Sequence, residues 1–379
     1  MTKDSLLAVN SDKYAPTFYA PVFYVYVDGQ QLHEHGSDCL SVQVKDSLMG
    51  LTSFELVLNN WNDGGDGKPP RFKYSDDQKT LKLGARVAIE MGYADAPART
   101  LMMVGEITGI EPQFPAAGGP TVRISGFDRR HRWQRKTKSN QWPNSRDSDI
   151  AKKIADDNNH MACRADETSP VHPEMPQHNV DDLKFLADRA AANNYEILME
   201  FEGSGKNARE VLLFRKMREG EEPTMALEWG TSLASFSPSL TLSGQLTKVT
   251  VESWHVGEAR LIKASADRAS LAEAQGDKNA AEVLNVAFGE GKELKVTRKG
   301  IQTDEQARKE AERILQEAAR TFVTGQASTV GLPTLRAGQN IYLGGLGERF
   351  SGVYYVTETT HRIDGNGYQT TFSVRRGYT

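Results

Sequence analysis

Cysteine is almost missing from this chain: only Cys39 and Cys163 occur in 379 residues. That excludes a disulfide scaffold and fits synthesis in a reducing compartment. Long hydrophobic runs are missing too. The opening MTKDSLLAVNSDKY holds only a few consecutive apolar residues, too few for a signal peptide, so synthesis in the cytoplasm is expected. No window approaches the roughly 20 apolar residues of a membrane span. Neither sign of charge is in excess, with 46 Lys+Arg against 50 Asp+Glu. A protein that coats nucleic acid needs a clustered basic surface, so no nucleic-acid specificity is expected. Hydrophobic residues make up 38% of the chain, enough for a core if some segments are polar excursions.

Signatures of chemistry are also lacking. There is no Gly-x-Ser-x-Gly and no phosphate-binding Gly-x-x-x-x-Gly-Lys. Carboxylates are plentiful, but no spacing selects an acid–base pair. His160, Cys163, His172 and His178 share one loop region without the paired spacing of a zinc site, and His33 with His35 offers two ligands on one strand face, which is not a site. No catalytic, cofactor-binding or metal-ligating residue is therefore assigned, and no cofactor is expected. The basic stretch Arg123 to Lys138 (RISGFDRRHRWQRKTK) reads as a strand end that meets an acidic neighbouring subunit.

What is present is a phrase written twice. LKLGARVAIEMGY (Leu81 to Tyr93) and LPTLRAGQNIYLGG (Leu332 to Gly345) share a Leu-x-x-Gly lead-in, Leu81/Gly84 against Leu335/Gly338, followed by an alternating strand. After each comes a strand with an internal glycine: Met103, Gly105 and Ile107 in one, Phe350, Gly352 and Tyr354 in the other. A Gly-rich turn (PAAGGP, DGNG) and an outgoing strand follow, with Val122/Ile124 and Phe372/Val374. Period-two alternation marks strands, and a glycine inside a strand marks a bend or a close backbone approach. Further strands lie upstream: PVFYVYVDG with its Asp28-Gly29 hairpin signal, LSVQVKD and TSFELVLNN before the first copy, and LTKVTVESWH before the second.

Between the copies the period changes. SDIAKKIADDNN places Ile150 and Ile154 one helical turn apart. A loop rich in Pro and His follows. Then NVDDLKFLADRAAANN opens with Asn179 as the expected N-cap and buries Leu183, Leu186 and Ala190. Two strands, YEILMEF and VLLFRK, close this insert. Residues 258–300 read as a polar surface excursion. TDEQARKEAERILQEAARTF is a helix capped by Thr303 and Gln306, with Ala307, Ala311, Ile314 and Ala318 facing inward.

Three segments together, HNVDDLKFLADRAAANNYEILMEF, LTKVTVESWH and GLPTLRAGQNIYLGGLGERFSGVYYVTETTHRIDGNGYQTTFSVRR, resemble the phage late control D proteins and the N-terminal hub part of VgrG proteins. The last carries Gly-x-Pro-x-Leu-x-x-Gly, Gly-x-Tyr-x-Val-x-x-x-x-His and Gly-Tyr-x-Thr-x-Phe. The resemblance implies a mainly β (α+β) fold: two similar tail-tube-type antiparallel β-barrels with an inserted small α/β subdomain and connecting helices. The expected divisions are 1–19 an N-terminal extension, 20–140 the first barrel and 141–224 the inserted helix–helix–hairpin subdomain. Residues 225–257 and 321–379 are the expected second barrel, with 258–320 the polar insertion and helix connecting its strands.

It also implies a structural, non-enzymatic baseplate hub of a contractile injection machine. Such a hub is a homotrimer joining a six-fold inner tube to a three-fold spike within a phage-like particle or secretion baseplate. Its partners are an inner tube ring, a spike and other baseplate proteins. Longer members continue into an OB-like domain and a β-helical needle, whereas this sequence stops at VRRGYT. A separate spike polypeptide is therefore expected. The rival readings are a spike-associated peptidoglycan hydrolase, for which no spare segment is long enough, and a β-barrel carbohydrate-binding adhesin. Trp61, Trp133, Trp142, Trp229 and Trp254 are too scattered to favour the adhesin.

Overall fold

Alternation of apolar and polar residues dominates the chain, and the backbone answers it with sheet. The computed structural model describes residues 20–32, 38–48, 50–64, 69–94, 99–158, 160–255, 257–267, 278–289 and 291–379. The expected extension 1–19 and the pair His33 and His35 lie outside the described residues.

The first module runs β1 (Pro21–Val27), β2 (Gln30–Gln31), β3 (Cys39–Ser47), β4 (Ser53–Asn59), the short hairpin β5 (Trp61–Asn62) and β6 (Arg71–Phe72), then β7 (Arg86–Tyr93), β8 (Thr100–Gln113) and β9 (Thr121–Phe127). The β1–β2 turn has Asp28 at φ 47° and Gly29 at φ 79°, the doubly left-handed turn that Asp-Gly favours because it matches strand twist. Val42, Val44, Phe54, Leu56, Val122 and Ile124 point to one side and are buried. No backbone pairing joins β1 to β3 among the described residues, and a cavity of about 310 Å³ lined by Leu32, Cys39, Leu56 and Leu81 marks that seam.

A short 3-10 helix, Arg129–Arg135, leads out of β9 into the insert. The insert comprises β10 (Thr137–Ser145), α1 (Asp147–Asp157), β11 (Ala162–Ala165), β12 (His172–Asp181), α2 (Asp182–Ala192), β13 (Tyr195–Glu202) and β14 (Arg209–Lys216). Ile150, Ile154, Leu186 and Ala190 bury against Leu212 and Phe214 of the sheet. Two expectations are corrected here. The Pro- and His-containing segment is no loop throughout: His172–Asp181 is a strand, paired antiparallel with β10. Most residues of this ribbon face water, so no apolar alternation announced it. The helix cap is Asp181, whose carboxylate accepts from the Lys184 N–H at 2.9 Å, whereas Asn179 sits at φ 48° within the strand.

The remainder holds β15 (Met225–Glu228), β16 (Leu233–Leu240), β17 (Lys248–His255), β18 (Arg260–Asp267), α3 (Ala280–Phe288), β19 (Glu293–Thr297), α4 (Asp304–Arg320), β20 (Val323–Val330), β21 (Asn340–Gly344), the one-turn α5 (Gly347–Phe350), β22 (Gly352–Asp364) and β23 (Gly367–Arg376). β15, β16 and β20–β23 enclose a second core around Leu227, Phe322, Leu335, Ile341, Tyr354 and Phe372. The expected membership of Lys248–His255 in that barrel is corrected. Among the described residues β17 pairs with β18 and β19 alone, in a separate three-stranded sheet. Val249, Val251 and Ile262 bury against Ala307, Ala311 and Leu315 of α4, making a core of their own. The 258–300 segment is thus partly a structural layer rather than a polar excursion.

The two barrel modules share one wiring. Hydrogen-bonded order is β3-β4-β9-β8-β7-β1 in the first and β16-β20-β23-β22-β21-β15 in the second. The last neighbour differs in direction: β1 runs antiparallel to β7, and β15 runs parallel to β21. Two register irregularities recur at equivalent places. Bulges fall between Cys39/Ser41 and between Leu233/Ser235 on the equivalent strands. They fall again between Ile107/Gly109 and Val356/Glu358. At the repeated phrase, Gly84 N–H donates to Ile107 O (2.8 Å) and Ile107 N–H to Ala85 O (2.9 Å), just as Gly338 donates to Val356 O (2.9 Å) and Val356 to Gln339 O (2.9 Å). Both glycines sit near φ +80°, Gly84 at 84° and Gly338 at 82°, where a Cβ is strained.

The glycine pairing inside the next strand is corrected by two residues. Gly105 faces Val87, and its equivalent facing Ile341 is Tyr354; Gly352 faces Leu343 and corresponds to Met103. The two glycines have separate causes. A Cβ on Gly105 would lie 2.5 Å from Phe127 O, and one on Gly352 would lie 2.5 Å from the Arg376 guanidinium.

Candidate assembly surface

The two modules are joined edge to edge in one sheet. β22 is long enough to serve both: Gly352–Tyr355 pairs with β21, and Glu358–Asp364 pairs antiparallel with β3 of the first module. Ile363 and Tyr368, at the tip of the β22–β23 hairpin, belong to the first module's core.

One face of this shared sheet is packed and the other is solvated, the ordinary condition of an antiparallel sheet. The solvated face carries Ser235, Ser237 and Ser239 of β16, Gln326 and Ser328 of β20, Thr371 and Ser373 of β23, and Glu358 and Thr360 of β22. It continues with Gln43 and Lys45 of β3, Glu55 of β4, and Arg123 and Ser125 of β9. These are small polar or charged side chains, with ion pairs Lys45–Glu358 (3.0 Å) and Arg123–Glu55 (3.5 Å) across strands. The face is a wetted wall, mostly polar, with Phe127 of β9 and Val330 of β20 as exposed apolar residues on the same alternation.

Behind the wall, buried polar groups lock the units together. Arg336, in the loop of the second repeated phrase, places Nε 3.1 Å from Asp46 of β3 and donates through Nη1 to Met102 O at 2.8 Å. His361 is fully buried: Nε2 donates to Leu335 O (2.9 Å), and Nδ1 accepts from the Tyr368 hydroxyl (3.1 Å) or Thr370 (3.0 Å). Burial, with the nearby Arg336 charge, pushes its pKa down to about 3, so the ring is neutral. Glu196 of β13 accepts from Arg215 Nε (2.7 Å) and from the Tyr355 hydroxyl, while Arg215 Nη2 donates to Gly338 O at 3.0 Å. Burial raises the Glu196 carboxyl despite these donors. A cavity of about 440 Å³ lies here, between the insert, β3 and the Arg336 loop.

The residues weighed for chemistry are dispersed into such pairings. His160 is exposed beside Asp156 (2.8 Å) and His178 is exposed. His172 (3.2 Å), Arg189 (2.6 Å) and Asn193 (2.7 Å) share the carboxylate of Asp147. Burial opposes ionisation of that carboxylate, but these bonds hold it below the usual range. Cys163 is half-buried, its thiol pushed up to about 11 by burial. Among the described residues, no three His, Cys, Asp or Glu groups come together as metal ligands.

Most cations of the basic stretch find acids inside their own chain, while Arg135 and Lys136 are exposed. Arg129 meets Glu210 (2.9 Å), Arg130 meets Asp128 (2.8 Å), His131 and Arg132 meet Glu106 (2.9 and 2.7 Å), and Lys138 meets Asp182 (2.5 Å). Sequence reasoning missed the Asp46–Arg336 and Glu196–Arg215–Tyr355 contacts, whose members are far apart in the chain. Only His361 carried a signal, through the Val-x-x-x-x-His spacing.

The model of the Alg8 N-terminal domain family matches residues 20–365. No curated protein matches the chain. Among solved structures, the 43 kDa tail protein of prophage MuSo2 from Shewanella oneidensis is 13% identical with a TM-score of 0.69, over 94% of this chain and 99% of that one. The tail protein from Neisseria meningitidis MC58 is 13% identical with a TM-score of 0.67, over 95% of this chain and 100% of that one. A chain of the Francisella PdpA–VgrG complex is 8% identical with a TM-score of 0.57; the match covers 99% of this chain and 62% of that one. At such identities the likeness is one of fold, and the fold is the mainly β fold of phage tail and VgrG-type proteins. Among the described residues no helix is long and apolar enough to cross a membrane.

Proposed function

The chain belongs to the Alg8 N-terminal domain family, and we propose that it serves as the structural baseplate hub of a contractile injection machine. In this reading three chains form a ring that joins a six-fold inner tube to a three-fold spike. The observation that carries the proposal is the duplicated module: one chain holds the same strand order twice, with two bulges at matching places, joined edge to edge. Three chains then present six equivalent modules to a tube ring while keeping three-fold symmetry for the spike. Cyclic closure uses heterologous contacts, first module against second. The wetted wall of small polar residues becomes the lining of the ring. The chain carries no reaction of its own in this reading, and its partners are the inner tube ring and the spike. The test is an image of the assembled particle at a resolution that separates chains. Three copies in the layer between tube and spike are expected; six copies there, or none, would refute the hub assignment.

A further inference from the structure

Among the described residues, two of the open strand edges on the shared sheet have counterparts that are paired inside the chain. β16 lies at its end, with no strand on its outer side among the described residues. The outer half of β8 is the second. Among the described residues, β8 pairs with β7 only up to Glu106, and from Gly109 to Gln113 it pairs with β9 alone. These two edges are the counterparts of β3 and the outer half of β22, which pair with each other inside the chain.

Resting on the hub reading, we propose that the outer half of β8 docks on β16 of a second copy of this chain, closing the ring as β22 docks on β3. The shared register specifies the partners. The internal pairs Thr359↔Asp46, His361↔Val44 and Ile363↔Val42 translate to Ile110 against Leu240, Pro112 against Pro238 and Phe114 against Phe236. The interleaved pairs Thr360↔Lys45 and Arg362↔Gln43 translate to Glu111 against Ser239 and Gln113 against Ser237. Apolar residues therefore meet apolar on the packed face, and polar meet polar on the wetted face. A one-residue slip would exchange the faces.

Phe114 is the telling residue. It is 62% exposed, while Ile363, its counterpart, is 5% exposed because the first module covers it. Thr241 N–H points inward to Phe322 O at 3.1 Å, so by alternation Leu240, Pro238 and Phe236 turn their backbone outward along β16. Proline is tolerated there because an outward position needs no N–H. With proline on both strands at the central pair, the backbone ladder is interrupted once, and the flanking Ile110/Leu240 and Phe114/Phe236 contacts carry the junction. The same prolines blunt each edge against a foreign strand.

Gln113 and Ser237 form a pair without mutual backbone bonds, the kind whose side chains approach most closely in an antiparallel sheet. The experiment is Gln113→Cys with Ser237→Cys, oxidised in particles extracted from the producing cells. Background is low, because burial pushes the Cys39 thiol up to about 12 and the Cys163 thiol to about 11. Covalent species of two and three chains are expected, absent from either single variant. Phe114→Asp should leave the monomer folded and remove the three-chain ring. Three-chain hubs imaged without the 113–237 product, or unaffected by Phe114→Asp, overturn the edge docking and leave the hub reading standing. A tube–spike layer without three copies of this chain overturns that reading instead.

Discussion

Gly84 and Gly338 do the same work in different surroundings. Both hold a left-handed turn, but a Cβ on Gly84 would meet nothing within 4 Å, while one on Gly338 would lie 2.6 Å from Leu198 and 2.8 Å from Arg215. Gly84→Ala should cost about 1–2 kcal/mol, the strain of the left-handed region alone. Gly338→Ala adds overpacking of about 1–3 kcal/mol. Urea unfolding of the two variants would measure the difference, and equal midpoints would show that the insert does not bear on this turn.

His361 makes a second residue-scale prediction. Its folded pKa of about 3 lies below the ordinary value of 6.5, so the unfolded chain takes up a proton that the folded chain refuses. Its contribution is therefore fully present above about pH 6.5 and falls by about 1.4 kcal/mol per pH unit below that. Between pH 6.5 and 5, above most carboxylate titrations, the unfolding free energy should drop with this slope, and His361→Gln should flatten it. An unchanged slope in the variant would show that His361 is not the titrating group. This residue was legible only as a spacing; its partner Leu335 sits in the other half of the same motif, and nothing in the sequence says that the two touch.

At the scale of elements, strands with one wet face were legible and the rest less so. β3, β4 and β9 alternate cleanly because one side meets the core and the other meets water. β10 and β12 are hidden because a ribbon largely exposed on both faces carries no such pattern. β17 was visible as a strand but not as a member of its sheet, since alternation reports a buried face and not which element buries it. That element is α4. Thr303 caps it by accepting from Gln306 N–H at 3.1 Å. The Gln306 side chain reaches Gln302 N–H at 2.8 Å, one residue before the cap, so the capping box is only half formed. Ala311→Asp would place an unpaired charge between α4 and β17, at a cost of about 3 kcal/mol or more. Hydrogen exchange should then quicken in 248–267 and 293–320 while β3, β4 and β22 keep their protection. Uniform loss of protection would mean that this layer is not a separate cooperative unit.

At the scale of the whole molecule, the duplication was legible in Leu-x-x-Gly and the strands after it, while the sharing of one strand between modules was not. Two barrels read from sequence suggest two independent bodies. β22 makes them one, because its halves pair with β21 and with β3, and Ile363 and Tyr368 complete a core built mostly from residues 25–124. Arg336 adds a bond from the second module to Asp46 and Met102 of the first. Neither module can then lose its structure without stripping cover from the other. Ile363→Ala should cost about 2–5 kcal/mol, and the loss should lower the stability of both modules together. Calorimetry of the chain should show a single transition for the two barrels, shifted as a whole by Ile363→Ala, with the α4 layer free to melt apart from it. A fragment ending after β9 should lack a cooperative transition, since its core is open where Ile363 and Tyr368 belong. Two barrel transitions, with only the second moved by Ile363→Ala, would show instead that the modules are separate bodies and that the shared strand is a contact rather than a common foundation.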